Sequence, residues 1–355
     1  MVKVTLWRQD AEIVRPVRAA AQHHDARSRF FLRVEHDGAE GYGEVAPQPQ
    51  ELNGDAGIPD VIDEVRVFVV PQLHHILERE GVLPSWTRVA RFGGSRAASN
   101  PAVALLEMAL LDRELRLARL SIGALWPATF DTPLQATVSL IDDGEWRVDR
   151  DVARVRAKIS AAPLSAGALR HLGEVAVPVL LDYNCCASSD TDVIEQVRVA
   201  RGVAEIAAVE QPYAVGNVVD TARLAEQLDV PLSVDEGVRS VRDVAQLVRY
   251  RAAEIICVKP ARVGGLANAR TIVAEAREAG LRPYLGGFFE SPYAREVHRA
   301  LARSCVAEPS DLSPVEVVRD GYSSEVDPTE LAFGVTPSPE MLARGAVLVD
   351  VEVTI

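Results

Sequence analysis

From Pro133 onward the chain alternates short apolar runs with amphipathic helical stretches, and five of the runs are closed by a charged residue. The runs occupy residues 134–140, 152–159, 177–181, 206–209, 231–234, 255–258 and 283–285, with 305–307 as an eighth candidate. Alternation of this kind specifies βαβ units. A strand that pairs in parallel with its predecessor needs a crossover, usually a helix, to bring the chain back to the same end of the sheet. Seven or eight such units in succession suit a barrel better than an open sheet.

The first hundred residues have a different texture. Two candidate strands, 2–14 and 30–36, flank the polar stretch 23–29, which reads as a mobile connection. A loop rich in Pro, Gln, Asn and Gly (47–57) then precedes helical patterns around 62–80 and 101–120. With 355 residues and 48% hydrophobic content, the chain can bury a large core and carry a smaller companion domain. The expected fold is therefore α/β, a modified (β/α)7β TIM-type barrel with an N-terminal α+β capping domain. Residues 1–125 are assigned to the cap, 126–310 to the barrel, and 311–355 to a C-terminal segment returning to the cap.

The charges that close the runs are Lys158, Asp182, Glu210, Asp235 and Lys259, separated by 24, 28, 25 and 24 residues. One barrel unit takes about 25 to 30 residues and all strands point the same way, so residues at strand C-termini converge on one face. Polar loops after strands account for any one of these residues, but not for five in register. Three convergent carboxylates raise one another's pKa unless a cation joins them. An all-oxygen set favours Mg²⁺, with Mn²⁺ as a substitute. Two lysines beside that metal should have depressed pKa values and serve as bases near neutral pH. The chemistry this suits is removal of a proton α to a carboxylate, with the metal stabilising the enediolate charge as it forms.

The 51 acidic against 38 basic residues give a formal charge of −13, which disfavours nucleic acid and anionic membranes as partners. No apolar run approaches the roughly 18 residues of a membrane span, and the N-terminus turns polar too early for a secretory signal. Cys185, Cys186, Cys257 and Cys305 show no C-x-x-C spacing. They read as reduced thiols, and the expectation is a soluble, unprocessed, cytoplasmic protein acting on a small-molecule carboxylate.

Several segments carry a resemblance to the enolase superfamily, in its muconate-lactonizing-enzyme subgroup, over nearly the whole chain. Val155-Arg156-Ala157-Lys158 resembles the second-strand K-x-K motif, with Arg156 in place of the usual first lysine but keeping a positive charge beside Lys158. Leu181-Asp182-Tyr183-Asn184 is similar to L-D-A-N, Val209-Glu210-Gln211-Pro212 to E-Q-P, and Val234-Asp235-Glu236-Gly237 to D-E-S. Lys259 opens a segment similar to K-P-x-R-x-G-G-L. The resemblance implies Lys158 and Lys259 as the acid/base pair and Asp182, Glu210 and Asp235 as ligands of Mg²⁺. It also implies auxiliary or substrate-binding roles for Arg156, Asn184, Glu236, Gly287 and Glu290.

Gly286-Gly287-Phe288-Phe289-Glu290-Ser291 resembles the segment of N-succinylamino acid racemases and o-succinylbenzoate synthases. The same five charges would also support muconate-type cycloisomerisation or dipeptide epimerisation, or persist in a catalytically silent relative. By the same resemblance residues 23–29 and 48–54 close over the substrate, and a homo-oligomer is expected. His74-His75 with Glu78 and Glu80 lacks the H-E-x-x-H order and reads as a solvated helix face.

Overall fold

The computed structural model of the chain describes residues 1–18, 23–92, 100–131, 133–141, 152–312, 324–326 and 331–353. Its N-terminal part contains strands β1 (Val2–Arg18), β2 (His23–His36) and β3 (Ala39–Val45). Helices α1 (Ile58–Glu64), α2 (Val70–Glu80), α3 (Trp86–Val89), α4 (Asn100–Ala118) and α5 (Ile122–Leu125) follow, with a π-helical turn (Val65–Val69) joining α1 to α2. Asp37 and Gly38 both have positive φ, 53° and 72°, the conformation that a two-residue hairpin between β2 and β3 demands. Alternation then buries one face: Val2, Val4 and Leu6 of β1 and Phe30, Leu32 and Val34 of β2 are all fully buried. Each such side chain contributes roughly 1.5–3 kcal/mol by leaving water.

Helix α4 is buried on nearly every side, which its apolar run from Pro101 to Leu111 allows. It lies so close to β3 that a Cβ at Gly43 would stand 2.0 Å from the Leu105 carbonyl oxygen, and one at Gly41 2.2 Å from that of Ala109. Only glycine admits that approach.

The parallel sheet comprises β4 (Gln135–Ser139), β5 (Arg154–Lys158), β6 (Val179–Asp182), β7 (Ile206–Glu210), β8 (Leu232–Val234), β9 (Ile255–Val258) and β10 (Arg282–Leu285), neighbours in space as in sequence. Between and after the strands run α6 (Ala166–Gly173), α7 (Asp190–Arg201), α8 (Val218–Ala225), α9 (Val241–Tyr250), α10 (Pro260–Val263), α11 (Leu266–Glu278) and α12 (Pro292–Cys305). The register pairs Lys158 with Asp182 and Asp182 with Glu210, so the charged strand ends lie at one level. At the edges, Ser310 donates to Pro133 and accepts from Gln135 ahead of β4, while Asp311 donates to Leu285 at the end of β10. One short segment thus touches both edges of the sheet.

A hairpin of β11 (Ser324–Val326) and β12 (Val335–Pro337), helix α13 (Pro339–Arg344) and strand β13 (Ala346–Val353) complete the chain. Strand β13 pairs antiparallel with β1, giving a four-stranded sheet in the order β13-β1-β2-β3. Among the described residues no helix is long and apolar enough to cross a membrane.

Glu107 ties the two halves together. Its carboxylate accepts from the backbone N–H groups of Leu266 (2.5 Å) and Ala267 (2.8 Å), capping the start of α11. Gly265 has φ +119°, and a Cβ there would sit 2.2 Å from Glu107 Oε2.

Two expectations are corrected. Residues 23–29 are not a connection: β2 begins at His23, and Arg27 and Arg29 are buried in the sheet with polar partners. Residues 19–22, between β1 and β2, lie outside the described residues. Residues 305–307 form no strand, because Cys305 is the last residue of α12, and the segment that meets both sheet edges is Ser310 and Asp311.

Candidate active site and metal centre

Strand periodicity builds the site in two layers. In β5 to β9, Lys158, Asp182, Glu210, Asp235 and Lys259 share a face with residues two positions earlier: Arg156, Leu180, Ala208, Ser233 and Cys257. The upper layer is charged, and the lower is apolar or small except at Arg156. Strand order places the three carboxylates at the ends of consecutive strands β6, β7 and β8, Asp235 one residue past β8, with a lysine at the end of each flanking strand, Lys259 one residue past β9. All five are buried.

Lys158 Nζ donates to Asp182 Oδ2 at 2.7 Å and to Asn184 Oδ1 at 2.8 Å. Lys259 Nζ donates to Asp235 Oδ2 at 2.9 Å and stands 4.7 Å from the centre of the Phe288 ring. Gly286 makes room for this lysine, since a Cβ there would meet Cys257 Sγ at 2.7 Å and Lys259 Cε at 3.1 Å. Positive φ at Asn184 (44°), Cys185 (67°), Gln211 (40°) and Phe289 (69°) clusters backbone strain just past the strand ends, as at functional sites generally.

Burial works to lower Lys259, but the Asp235 carboxylate outweighs it and holds the ammonium above its ordinary range. The expected depression depends on further positive charge among the carboxylates. Asp182 and Asp235 lie below the usual carboxylate range: burial opposes ionisation, but Arg156 and Lys158 around Asp182, and Lys259, Arg262 and Arg156 around Asp235, prevail. Glu210 is raised, burial dominating.

Arg156 reaches up from the layer below. Its Nη2 lies 2.8 Å from Asp182 Oδ2, 2.5 Å from Glu210 Oε1 and 2.7 Å from Asp235 Oδ2, at the point where the three carboxylates converge. Among the described residues no three His, Cys, Asp or Glu side chains stand in ready metal-binding geometry; at this trio the convergent point is taken by a guanidinium nitrogen. The occupancy is imperfect. One Nη2 carries two protons for three acceptors, and Glu210 Oε1 and Arg156 Nε are buried with no hydrogen-bond partner. Three carboxylate oxygens around one point, one of them orphaned, fit a small divalent cation.

Of the auxiliary residues, Asn184 Nδ2 donates to Glu236 Oε1, which also accepts from Asn53 of the 47–57 loop. Glu236 is pushed up to about 6 by burial and by Asp235 and Asp182. Gly287 leaves space for Glu290, whose Oε2 a Cβ would meet at 2.5 Å. Glu290 Oε2 accepts from the Phe288 N–H and faces Arg295 at 3.9 Å. The His74 pair with Glu78 is a half-exposed contact at 3.4 Å on a helix face.

Sequence reading missed the supports. Tyr284 Oη (2.5 Å) and Ser233 Oγ (2.7 Å) both donate to Glu210 Oε2. Arg262 donates through Nε (2.7 Å) and Nη2 (2.8 Å) to Asp55, and through Nη1 to Asp235. Arg239 donates to the Asn53 and Gly54 carbonyls, pinning the same loop. Arg27 lies under that loop, donating to Gln48 Oε1 and the Ala46 carbonyl; burial pulls it down to about 10 although Glu290 and Asp55 oppose this. The i, i+2 pattern offered a signal for Ser233, two residues before Asp235.

Residues 141–332 match the family model described as Enolase C-terminal domain-like. The chain is 26% identical to an N-succinylamino acid racemase from an Amycolatopsis species, over 96% of this chain and 95% of that one. It is 26% identical to an o-succinylbenzoate synthase from Bacillus subtilis, over 84% and 81% of the respective chains. Its fold is similar to that of N-succinyl Arg/Lys racemase from Bacillus cereus, with a TM-score of 0.79 at 16% identity over 96% of both chains.

Proposed function

Because this chain belongs to the enolase superfamily through its Enolase C-terminal domain-like region, we propose that it is a Mg²⁺-dependent enzyme that moves a proton α to the carboxylate of a small substrate, in the manner of an N-succinylamino acid racemase or o-succinylbenzoate synthase. The observation that carries this reading is the strand order lysine, aspartate, glutamate, aspartate, lysine, with each lysine bonded to the nearer aspartate. Membership implies a divalent metal, which Asp182, Glu210 and Asp235 would hold. When bound it supplies a Lewis acid for the charge that develops on the substrate carboxylate.

The protein's own groups do the rest. Lys158 and Lys259 flank the carboxylates from opposite sides, so one removes the α-proton and the other returns it or stands against the charge. Asn184 orients Lys158 through its Oδ1, and the Phe288 ring shields Lys259 from water. The 47–57 loop, pinned by Arg239 and Arg262, covers the same end of the sheet. We read the curled sheet as a (β/α)7β barrel, with Ser310 bridging its two edges through Pro133, Gln135 and Leu285, and residues 1–125 and 311–355 as its cap.

The test is α-proton exchange in D₂O with Mg²⁺, followed by NMR. The panel comprises N-succinylamino acids, dipeptides and the dehydration precursor of o-succinylbenzoate. Exchange with the first or last class is expected, and its loss in Lys158→Ala and Lys259→Ala. Full exchange in both variants would overturn the assignment of the lysines, and exchange with dipeptides alone would overturn the substrate class.

A further inference from the structure

We propose that Arg156 is the resident counter-cation of the three carboxylates, and that divalent-metal binding is an exchange in which Nη2 yields the convergent point while Nη1 stays on Asp311. This rests on the metal-dependent reading above. Three observations lead to it. First, Arg156 springs from the layer below the carboxylates, and its guanidinium rises to the point where they converge. Second, its grip is strong in charge but poor in hydrogen bonding. Nη2 is within 2.8 Å of three buried oxygens, yet Glu210 Oε1 is left without a hydrogen bond, as is Nε. Third, a second anchor exists. Nη1 lies 3.3 Å from Asp311 Oδ2, which also accepts from Thr137 Oγ1 and is partly exposed.

The planar fork of a guanidinium can hold two carboxylate sites at once, whereas a lysine offers a single nitrogen. Arginine at this position therefore does two things. It keeps three buried carboxylates from standing uncompensated in the metal-free protein, and it competes with the metal for them. Removing it should loosen the metal-free protein and tighten metal binding, and removing Asp311 should weaken metal binding because the displaced guanidinium loses its partner.

The experiment is isothermal titration of the full chain with Mg²⁺ and with Mn²⁺, alongside melting temperature in EDTA, for wild type, Arg156→Met, Arg156→Lys and Asp311→Asn. Expected are a lower melting temperature in EDTA and a metal Kd at least about tenfold tighter in Arg156→Met, a smaller shift of the same sign in Arg156→Lys, and a severalfold weaker Kd in Asp311→Asn. If Arg156→Met fails to fold, Arg156→Lys and Asp311→Asn carry the test. Wild-type binding with unchanged or weaker binding in the Arg156 variants would overturn the exchange and leave the metal reading intact. No binding by any protein would overturn both.

Discussion

Arg262 and Asp55 form a buried two-point pair, Nε to Oδ1 at 2.7 Å and Nη2 to Oδ2 at 2.8 Å, across 207 residues of sequence. The remaining nitrogen, Nη1, donates to Asp235, so one guanidinium spans the covering loop and a candidate metal ligand. Deleting one partner of a buried pair leaves the other charge uncompensated, typically at about 3–5 kcal/mol. Asp235 shares Arg262 and keeps its charge partly compensated, so Asp55→Ala is expected to cost less than that, about 2–3 kcal/mol, measured by urea denaturation. It should also raise KM more than it lowers kcat. A loss below 0.5 kcal/mol would mean the pair contributes little.

Tyr284 and Ser233 both donate to Glu210 Oε2. Tyr284→Phe keeps the ring and removes the hydroxyl, so the expected effect is about 1–3 kcal/mol of stability. Groups that hold a ligand from behind typically change metal affinity by about 10–100-fold, and calorimetry of the variant should find a weaker Kd for Mg²⁺. An unaltered Kd would show that Ser233 alone suffices to hold the carboxylate.

Gly286 gives Lys259 its space. Gly286→Ala would press a methyl group on Lys259 Cε and Cys257 Sγ, shifting the ammonium by a fraction of an ångström. Misplacing a reacting group by about 1 Å can cost about 10²-fold, and a shift of a fraction of that about tenfold. We expect kcat to fall by about tenfold while far-ultraviolet circular dichroism stays unchanged. Wild-type turnover in the variant would show that the lysine tolerates the added atom.

Glu107 is pushed up to about 8 by burial, against the pull of its two backbone donors, and Asp112 to about 6 by burial against Arg116. For a carboxyl raised in the folded state, the native protein keeps a proton that the unfolded chain releases near pH 4.5. The associated stability is fully present below that pH and is lost as pH rises through the folded value. Between pH 7 and 8, where Asp112 has largely titrated, Glu107 should lower stability by up to about 1.4 kcal/mol per unit. Glu107→Gln should flatten that slope, whatever its effect on absolute stability. Urea midpoints at pH 6, 7 and 8 for both proteins check this; equal slopes would assign the dependence to another group.

Much of the fold was legible because two periodicities are simple. The apolar runs 134–140 to 283–285 became the seven parallel strands, since strands buried on both faces are mostly apolar, although β5 is buried while carrying Arg154, Arg156 and Lys158. The misreadings have a common cause. Arg27 and Arg29 made residues 23–29 look solvated, yet their charges are buried against Gln48 and Gln9, partners far away in the chain. Residues 305–307 looked like a strand because a helix end packed on the core is as apolar as one. The direction of Lys259's shift depends on how near Asp235 stands, and local sequence does not carry that distance.

By itself the sequence determined which residues could meet. A repeat of about 25 residues brings every strand end to one face, so Lys158, Asp182, Glu210, Asp235 and Lys259 share a level as a matter of chain geometry. Tertiary structure alone decided what stands between and above them. Arg156 lies two residues before Lys158 and one layer lower, and only the length of its side chain and the meeting of three neighbouring strands put its nitrogen among the carboxylates. Asp55 comes from another part of the chain and reaches Arg262 through packing of the N-terminal region on the sheet. Contacts of that kind depend on side-chain reach and on segments brought together only when the core closes, and no local pattern encodes them.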